Sequence, residues 1–143
     1  MRTPVAVIGA GMIGRGWAIV FARAGYAVRM YDAQPGACDA ALAEIERRLH
    51  DLERYELVRE PGAILARLTP VSSIAEAAQN VDLVQECVLE NRADKRAIFE
   101  ELDRCTPERT AWRDRRLMLL AAHKARAERS VDEPSKGANA HGR

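Results

Sequence analysis

Val5-Ala6-Val7-Ile8-Gly9-Ala10-Gly11-Met12-Ile13-Gly14 decides how this chain is read. Pro4 to Ile8 is a short continuous apolar run, suited to a strand buried on both faces of a parallel sheet. It stops at Gly9, and apolar residues then recur at Ile13, Trp17, Val20, Phe21 and Ala24, the spacing of one helix face. A helix over 12–24 is therefore expected, with Gly25 as its stop. Glycines 9, 11 and 14 fall between strand and helix, the setting in which G-x-G-x-x-G cradles a dinucleotide pyrophosphate. Gly9 is read as the turn off the strand and Gly11 as bare backbone that a phosphate can approach. Gly14 is read as the point of close helix–strand packing, and Gly16 as a further packing residue. The helix N-terminus would offer unpaired N–H groups and partial positive charge to the phosphates.

Working outward, Ala27 to Tyr31 reads as a second strand closed by Asp32. A carboxylate at that strand end accepts hydrogen bonds from the adenosine ribose and repels a 2′-phosphate. Ala33 follows, with no arginine to welcome that phosphate, so NAD is expected over NADP. Asp39 to Arg54 has helical periodicity through Leu42, Ile45 and Leu49. The stretch 56–68 is broken by Pro61-Gly62 and gives no clear element. Leu68 to Val71 reads as a short strand that Pro70 confines to an edge. Ser72 or Ser73 caps a short helix through Ala78, and Val81 to Val88 reads as the next buried strand. An amphipathic helix over Asn91 to Leu102 follows, with Ala93, Ile98 and Leu102 inward. Alternating strands and helices imply an α/β, Rossmann-type, doubly wound parallel sheet.

Composition narrows the function classes. The 143 residues are 48% hydrophobic, 30% charged and 5% aromatic, as in a globular chain with room for one domain. A net charge of +1 gives no reason to invoke nucleic acid or a membrane surface as partner. No apolar run approaches the roughly 18 residues needed to span a bilayer, and Val5 to Ile8 is too short for a secretory signal. Cys38, Cys87 and Cys105 lack metal-ligand or C-x-x-C spacing and are read as small buried hydrophobes in a reducing cytoplasm.

Two separated motifs in order, Val5 to Ala18 with Tyr31-Asp32, then Gln85-Glu86-Cys87-Val88-Leu89-Glu90-Asn91 with Lys95 and Ile98-Phe99, resemble the 3-hydroxyacyl-CoA dehydrogenase family. The wording is nearest to its lambda-crystallin / L-gulonate 3-dehydrogenase branch, and the similarity covers roughly residues 3 to 110. The resemblance implies an NAD-dependent oxidoreductase that moves hydride between a C3 hydroxyl and the nicotinamide, as in fatty acid metabolism. It implies backbone N–H groups of Met12 and Ile13 on the pyrophosphate, Asp32 on the adenine ribose, and Glu90 and Lys95 near the nicotinamide-side ribose. The cofactor-binding set is thus Gly9, Gly11, Met12, Ile13, Gly14, Asp32, Glu90 and Lys95, with no metal. The family's partners are NAD(H), a hydroxy acid or acyl-CoA substrate, and a second subunit in a homodimer.

Beyond residue 111 the resemblance stops. The family continues with a strand, a Ser-rich turn and a catalytic His, whereas this chain reads Trp112-Arg113-Asp114-Arg115-Arg116. His50, His123 and His141 are read as surface residues, so no catalytic residue is named and the chain alone is expected to be inactive. The expected organisation is a partial NAD-binding domain at 1–111 and a divergent basic tail at 112–143. Of the charges, 14 basic and 17 acidic precede residue 112, and 8 basic and 4 acidic follow. The Arg/Ala-rich tail reads as disordered or as out-of-frame translation in a truncated gene. The strand at 81–88 would then lack its neighbour and leave a marginally stable product. A non-catalytic NAD-binding module is the alternative function.

Overall fold

The computed structural model describes residues 2–88, 92–106 and 110–113. Within them, strands β1 (Val5–Ile8), β2 (Val28–Tyr31), β3 (Leu68–Pro70), β4 (Leu83–Glu86) and β5 (Ala111–Arg113) form one sheet. Helices α1 (Met12–Arg23), α2 (Ala37–Arg54), α3 (Pro61–Leu65), α4 (Ile74–Ala78) and α5 (Arg92–Cys105) are interleaved with the strands. The order across the sheet is β3-β2-β1-β4-β5, with all neighbours parallel. This is the doubly wound arrangement expected from the sequence. Residues 1–113 form one compact unit. The tail, with His123 and His141, lies outside the described residues.

β1 shows why the sheet is covered on both sides. Val7 joins a core with Met30, Ala18, Ala22, Ile45 and Leu49, drawn from β2, α1 and α2. Its neighbours Ala6 and Ile8 point the other way, to Ile74, Ala77, Val84 and Leu102 of α4, β4 and α5. Successive residues of a strand face opposite sides, so a continuous apolar run is what two cores require.

The buried face of α1 is not the stripe of large apolar residues. The residues turned inward are Gly14, Ala18, Ile19 and Ala22, whereas Ile13, Trp17 and Val20 are exposed. The cause is proximity. A Cβ built on Gly14 would stand 1.8 Å from the Gly9 carbonyl oxygen, so the helix lies too close to the strand for bulky side chains beneath it. Small residues four apart fill that contact, Ile19 and Phe21 pack beside it, and Ile13, Trp17 and Val20 face outward. Trp17 stacks on Phe21 with centroids 5.4 Å apart. The reading of Gly16 as a packing residue is corrected, since no described atom lies within 4 Å of a Cβ built on it.

The helix ends as expected. Gly25, at φ +88°, donates its N–H to Ala22, and Tyr26 donates to Phe21, the paired bonds of a Schellman stop. Pro70 lies on edge strand β3, where its missing donor costs no ladder bond. Ser73 is the cap of α4, accepting the Glu76 N–H at 3.1 Å on its hydroxyl.

β5 corrects the expectation of an unpartnered β4. Leu83, Val84 and Gln85 pair with Ala111, Trp112 and Arg113, and the Thr110 hydroxyl donates to the Val81 carbonyl at 2.9 Å just ahead of that ladder. β4 is also shorter than the strand expected over 81–88. The Val88 N–H turns aside to the Glu86 carboxylate, which removes it from the ladder. The thiols of Cys38, Cys87 and Cys105 are half-buried rather than fully buried. Burial raises the pKa of the Cys38 and Cys105 thiols, which keeps them protonated at neutral pH. No helix among the described residues is long and apolar enough to cross a membrane.

Candidate functional site

The carboxyl ends of three strands reach one level: Ile8 of β1 is in register with Tyr31 of β2 and with Glu86 of β4. Gly9, Asp32 and Cys87 follow at the same edge of the sheet. The chain leaves β1 for one side and β4 for the other, so the edge is a topological switch point, where open α/β sheets hold ligands. A cavity of about 530 Å³ opens there, between Gly9 to Gly11, Asp32 to Gln34, Ile74, Val88 and Ile98.

Each glycine of the loop now has a measurable reason. Gly9 has φ +105°, and a Cβ on it would meet the Cys87 carbonyl carbon at 2.9 Å. Any side chain would be strained and would also push β1 from β4. Gly14 is fixed by the contact with Gly9 already described. Gly11 is different, because no described atom lies within 4 Å of a Cβ built on it. Its bareness serves no packing within the described chain and leaves room over the loop for a ligand.

That room meets the start of α1. Gly11 is the N-cap and supplies no capping side chain, Arg15 Nε donates to its carbonyl at 3.3 Å, and the first turn holds no acid. The amides of Met12 and Ile13 therefore carry the helix's partial positive charge toward an anion. A diphosphate fits such an end.

Asp32 stands on the β2 side of the loop. Its Oδ2 accepts the Ala10 N–H at 2.8 Å, and its Oδ1 accepts the Gln34 N–H at 2.8 Å. Both bonds come from backbone, so the carboxylate is aimed without a counter-charge and keeps acceptor capacity for ligand hydroxyls. The apolar wall of Ile74, Val88 and Ile98 offers a slot for a flat ring.

On the β4 side the structure shows a pair that the sequence reading did not. Lys95 Nζ stands 3.1 Å from Glu86 Oε2, with the Glu86 side chain 1% exposed and that of Lys95 17%. Glu86 Oε1 also accepts the Val88 N–H. The sequence reading placed Lys95 beside Glu90, which lies outside the described residues. Glu86 was quoted only as part of a motif, and the four-residue offset from Glu90 gave no sign that its carboxylate turns toward α5. His50 is far along α2, exposed, and 3.6 Å from Glu53.

The comparisons agree with this geometry. The 3-hydroxyacyl-CoA dehydrogenase NAD binding domain matches residues 4–112. The chain is 35% identical over 108 residues to lambda-crystallin of Oryctolagus cuniculus, covering 73% of this chain and 34% of that one. It is 37% identical over 108 residues to a probable 3-hydroxybutyryl-CoA dehydrogenase of Bacillus subtilis, covering 74% and 37% respectively. The (S)-3-hydroxybutyryl-CoA dehydrogenase structure from Ralstonia eutropha superposes with a TM-score of 0.72 at 27% identity, covering 78% of this chain and 40% of that one. The chain thus spans about a third of the length of the curated relatives it matches. With its bare loop over an uncapped helix, its aimed Asp32 and this match, the chain belongs to the 3-hydroxyacyl-CoA dehydrogenase family through the NAD-binding domain.

Proposed function

We propose that this chain is the cofactor-holding part of an NAD-dependent dehydrogenase of 3-hydroxy acids or their CoA thioesters. The observation that carries the reading is the space over Gly11, bounded by the start of α1 and by Asp32. On this reading the amides of Met12 and Ile13 hold the pyrophosphate and Asp32 holds the adenine ribose. Ile74, Val88 and Ile98 take the adenine ring. Lys95 serves the nicotinamide-side ribose, and Glu90, outside the described residues, shares that role. NAD, when bound, supplies the hydride acceptor for oxidation at C3.

The relatives' names support the substrate class, since one is a probable 3-hydroxybutyryl-CoA dehydrogenase. Substrate recognition, the acid–base group and the dimer contacts are assigned to the further length of such relatives, and a cytoplasmic location belongs to the same proposal. No described residue is assigned a catalytic role. The boundary after 111 and the basic tail from 112 stand with this reading as proposals about organisation.

The test is a titration of the purified chain with NADH and, in parallel, NADPH, read by the fluorescence of the dihydronicotinamide. Saturable NADH binding is expected, with NADPH weaker by about tenfold or more, or about 1.4 kcal/mol. Asp32→Asn should narrow that gap. Equal affinities would overturn the Asp32 assignment, and no binding of either would overturn the cofactor role.

A further inference from the structure

We infer that Glu86 is a positioning residue for the dinucleotide site, holding Lys95 at the β4 side of the switch point through their buried ion pair. This rests on the proposed NAD-binding role and assigns a part of that site which the sequence reading left to Glu90.

Topology comes first. β2 and β4 flank β1, so Asp32 and Glu86 emerge on opposite sides of Gly9. Neighbouring strands lie about 4.8 Å apart, which separates the two strand ends by about 10 Å. A ligand pinned at Asp32 and running over Gly11 extends toward the β4 side. On α5 near that strand end stands Lys95, whose ammonium is 3.1 Å from Glu86 Oε2.

Energetics come second. The Glu86 side chain is 1% exposed, and taking a carboxylate out of water is costly even when it is paired. Replacing such a pair by well-packed apolar residues is often neutral or stabilising, so stability alone is a weak reason to keep it. Geometry supplies the better reason. One Glu86 oxygen accepts the Val88 N–H, and the other faces the Lys95 ammonium as an ion pair without hydrogen-bond geometry. The carboxylate is therefore fixed to the backbone at the end of β4, and through it the lysine is fixed too. A flexible four-carbon stem becomes a cation of set position. Glu86 itself is covered and acts only through Lys95.

The experiment compares NADH with AMP, which carries only the adenine half, on the wild-type chain and on Glu86→Gln. Circular dichroism confirms the fold of each. Glu86→Gln should weaken NADH by about tenfold and leave AMP within about twofold, because the adenine half sits on the β2 side. Lys95→Arg, which keeps a cation in reach of Glu86, should recover most NADH affinity relative to Lys95→Met. Unchanged NADH affinity in Glu86→Gln overturns the inference. Equal losses of NADH and AMP also overturn it, since they mark a merely structural role. Where Glu86→Gln does not fold, Glu86→Asp, which keeps the charge but draws it back from Lys95, carries the same comparison. A selective NADH loss supports the inference, and retained NADH affinity overturns it. A wild-type chain that binds neither NADH nor AMP overturns the cofactor reading itself, a result distinct from a Glu86 variant matching a wild type that binds.

Discussion

The two flanks of β1 place an acid at the same level and use it in opposite ways. On the β2 flank, Asp32 is half-buried and bonded to two backbone N–H groups. On the β4 flank, Glu86 is almost wholly covered and paired with Lys95. The difference teaches how one crevice can separate selection from stability. An acid at the rim, held by neutral donors, remains open to a ligand, and its removal costs little fold energy. A buried acid held by a cation is out of a ligand's reach, so it acts through its partner and carries a stability cost when that partner is removed.

The largest expected effect removes the ground on which both flanks rest. Gly14→Ala puts a methyl 1.8 Å from the Gly9 oxygen, so α1 must lift from β1. A loss of about 4 kcal/mol or more is expected in urea unfolding, with loss of NADH binding. Gly11→Ala, facing open space among the described residues, should leave the unfolding midpoint nearly unchanged while weakening NADH. Similar stability losses in both would mean that the close contact at Gly14 is not what seats the helix.

Next comes the contrast between the acids themselves. Lys95→Met removes the cation from a covered carboxylate and should cost about 3 kcal/mol of stability. Asp32→Asn keeps one acceptor for its two backbone donors and should cost about 1 kcal/mol. Equal costs, measured by denaturant titration, would break the comparison.

The smallest effect is a pH dependence on the helix that supports the β4 flank. Glu76 accepts the N–H and the hydroxyl of Ser72 at α4, and these bonds hold its pKa below the usual glutamate value. A carboxylate whose folded pKa is depressed adds stability that is complete above its unfolded pKa. That stability is lost as pH falls through the folded value. Stability should therefore decline on acidification below pH about 4.5, and Glu76→Gln should flatten that part of the curve. An unchanged slope in Glu76→Gln would place the acid sensitivity elsewhere.

Much of the fold was legible because its signals are local. The run Val5 to Ile8, the glycines after it and Asp32 at the end of the next strand each have a short-range cause. So do the Ser73 cap and the Gly25 stop. The inward face of α1 was not legible because periodicity alone does not say how near a helix sits to its sheet. Ile13, Trp17 and Val20 have the right spacing for a core, but Gly14 brings the backbone in so far that Ala18 and Ala22 take their place. The partner of β4 was missed for a related reason. Ala111-Trp112-Arg113 does not read as a buried strand, yet a parallel ladder needs only backbone donors and acceptors in register.

The sequence by itself determined the βαβ order, the glycine loop between β1 and α1, the acid at residue 32 and the family. Each of these is written in residue type and spacing along one stretch of chain. Only the tertiary structure decided that Lys95 answers to Glu86, that α1 turns its small residues inward, and that β4 has a neighbour. Those outcomes depend on which atoms meet once strands distant in sequence lie side by side. There, burial and close approach can outweigh the periodicity that any single segment displays.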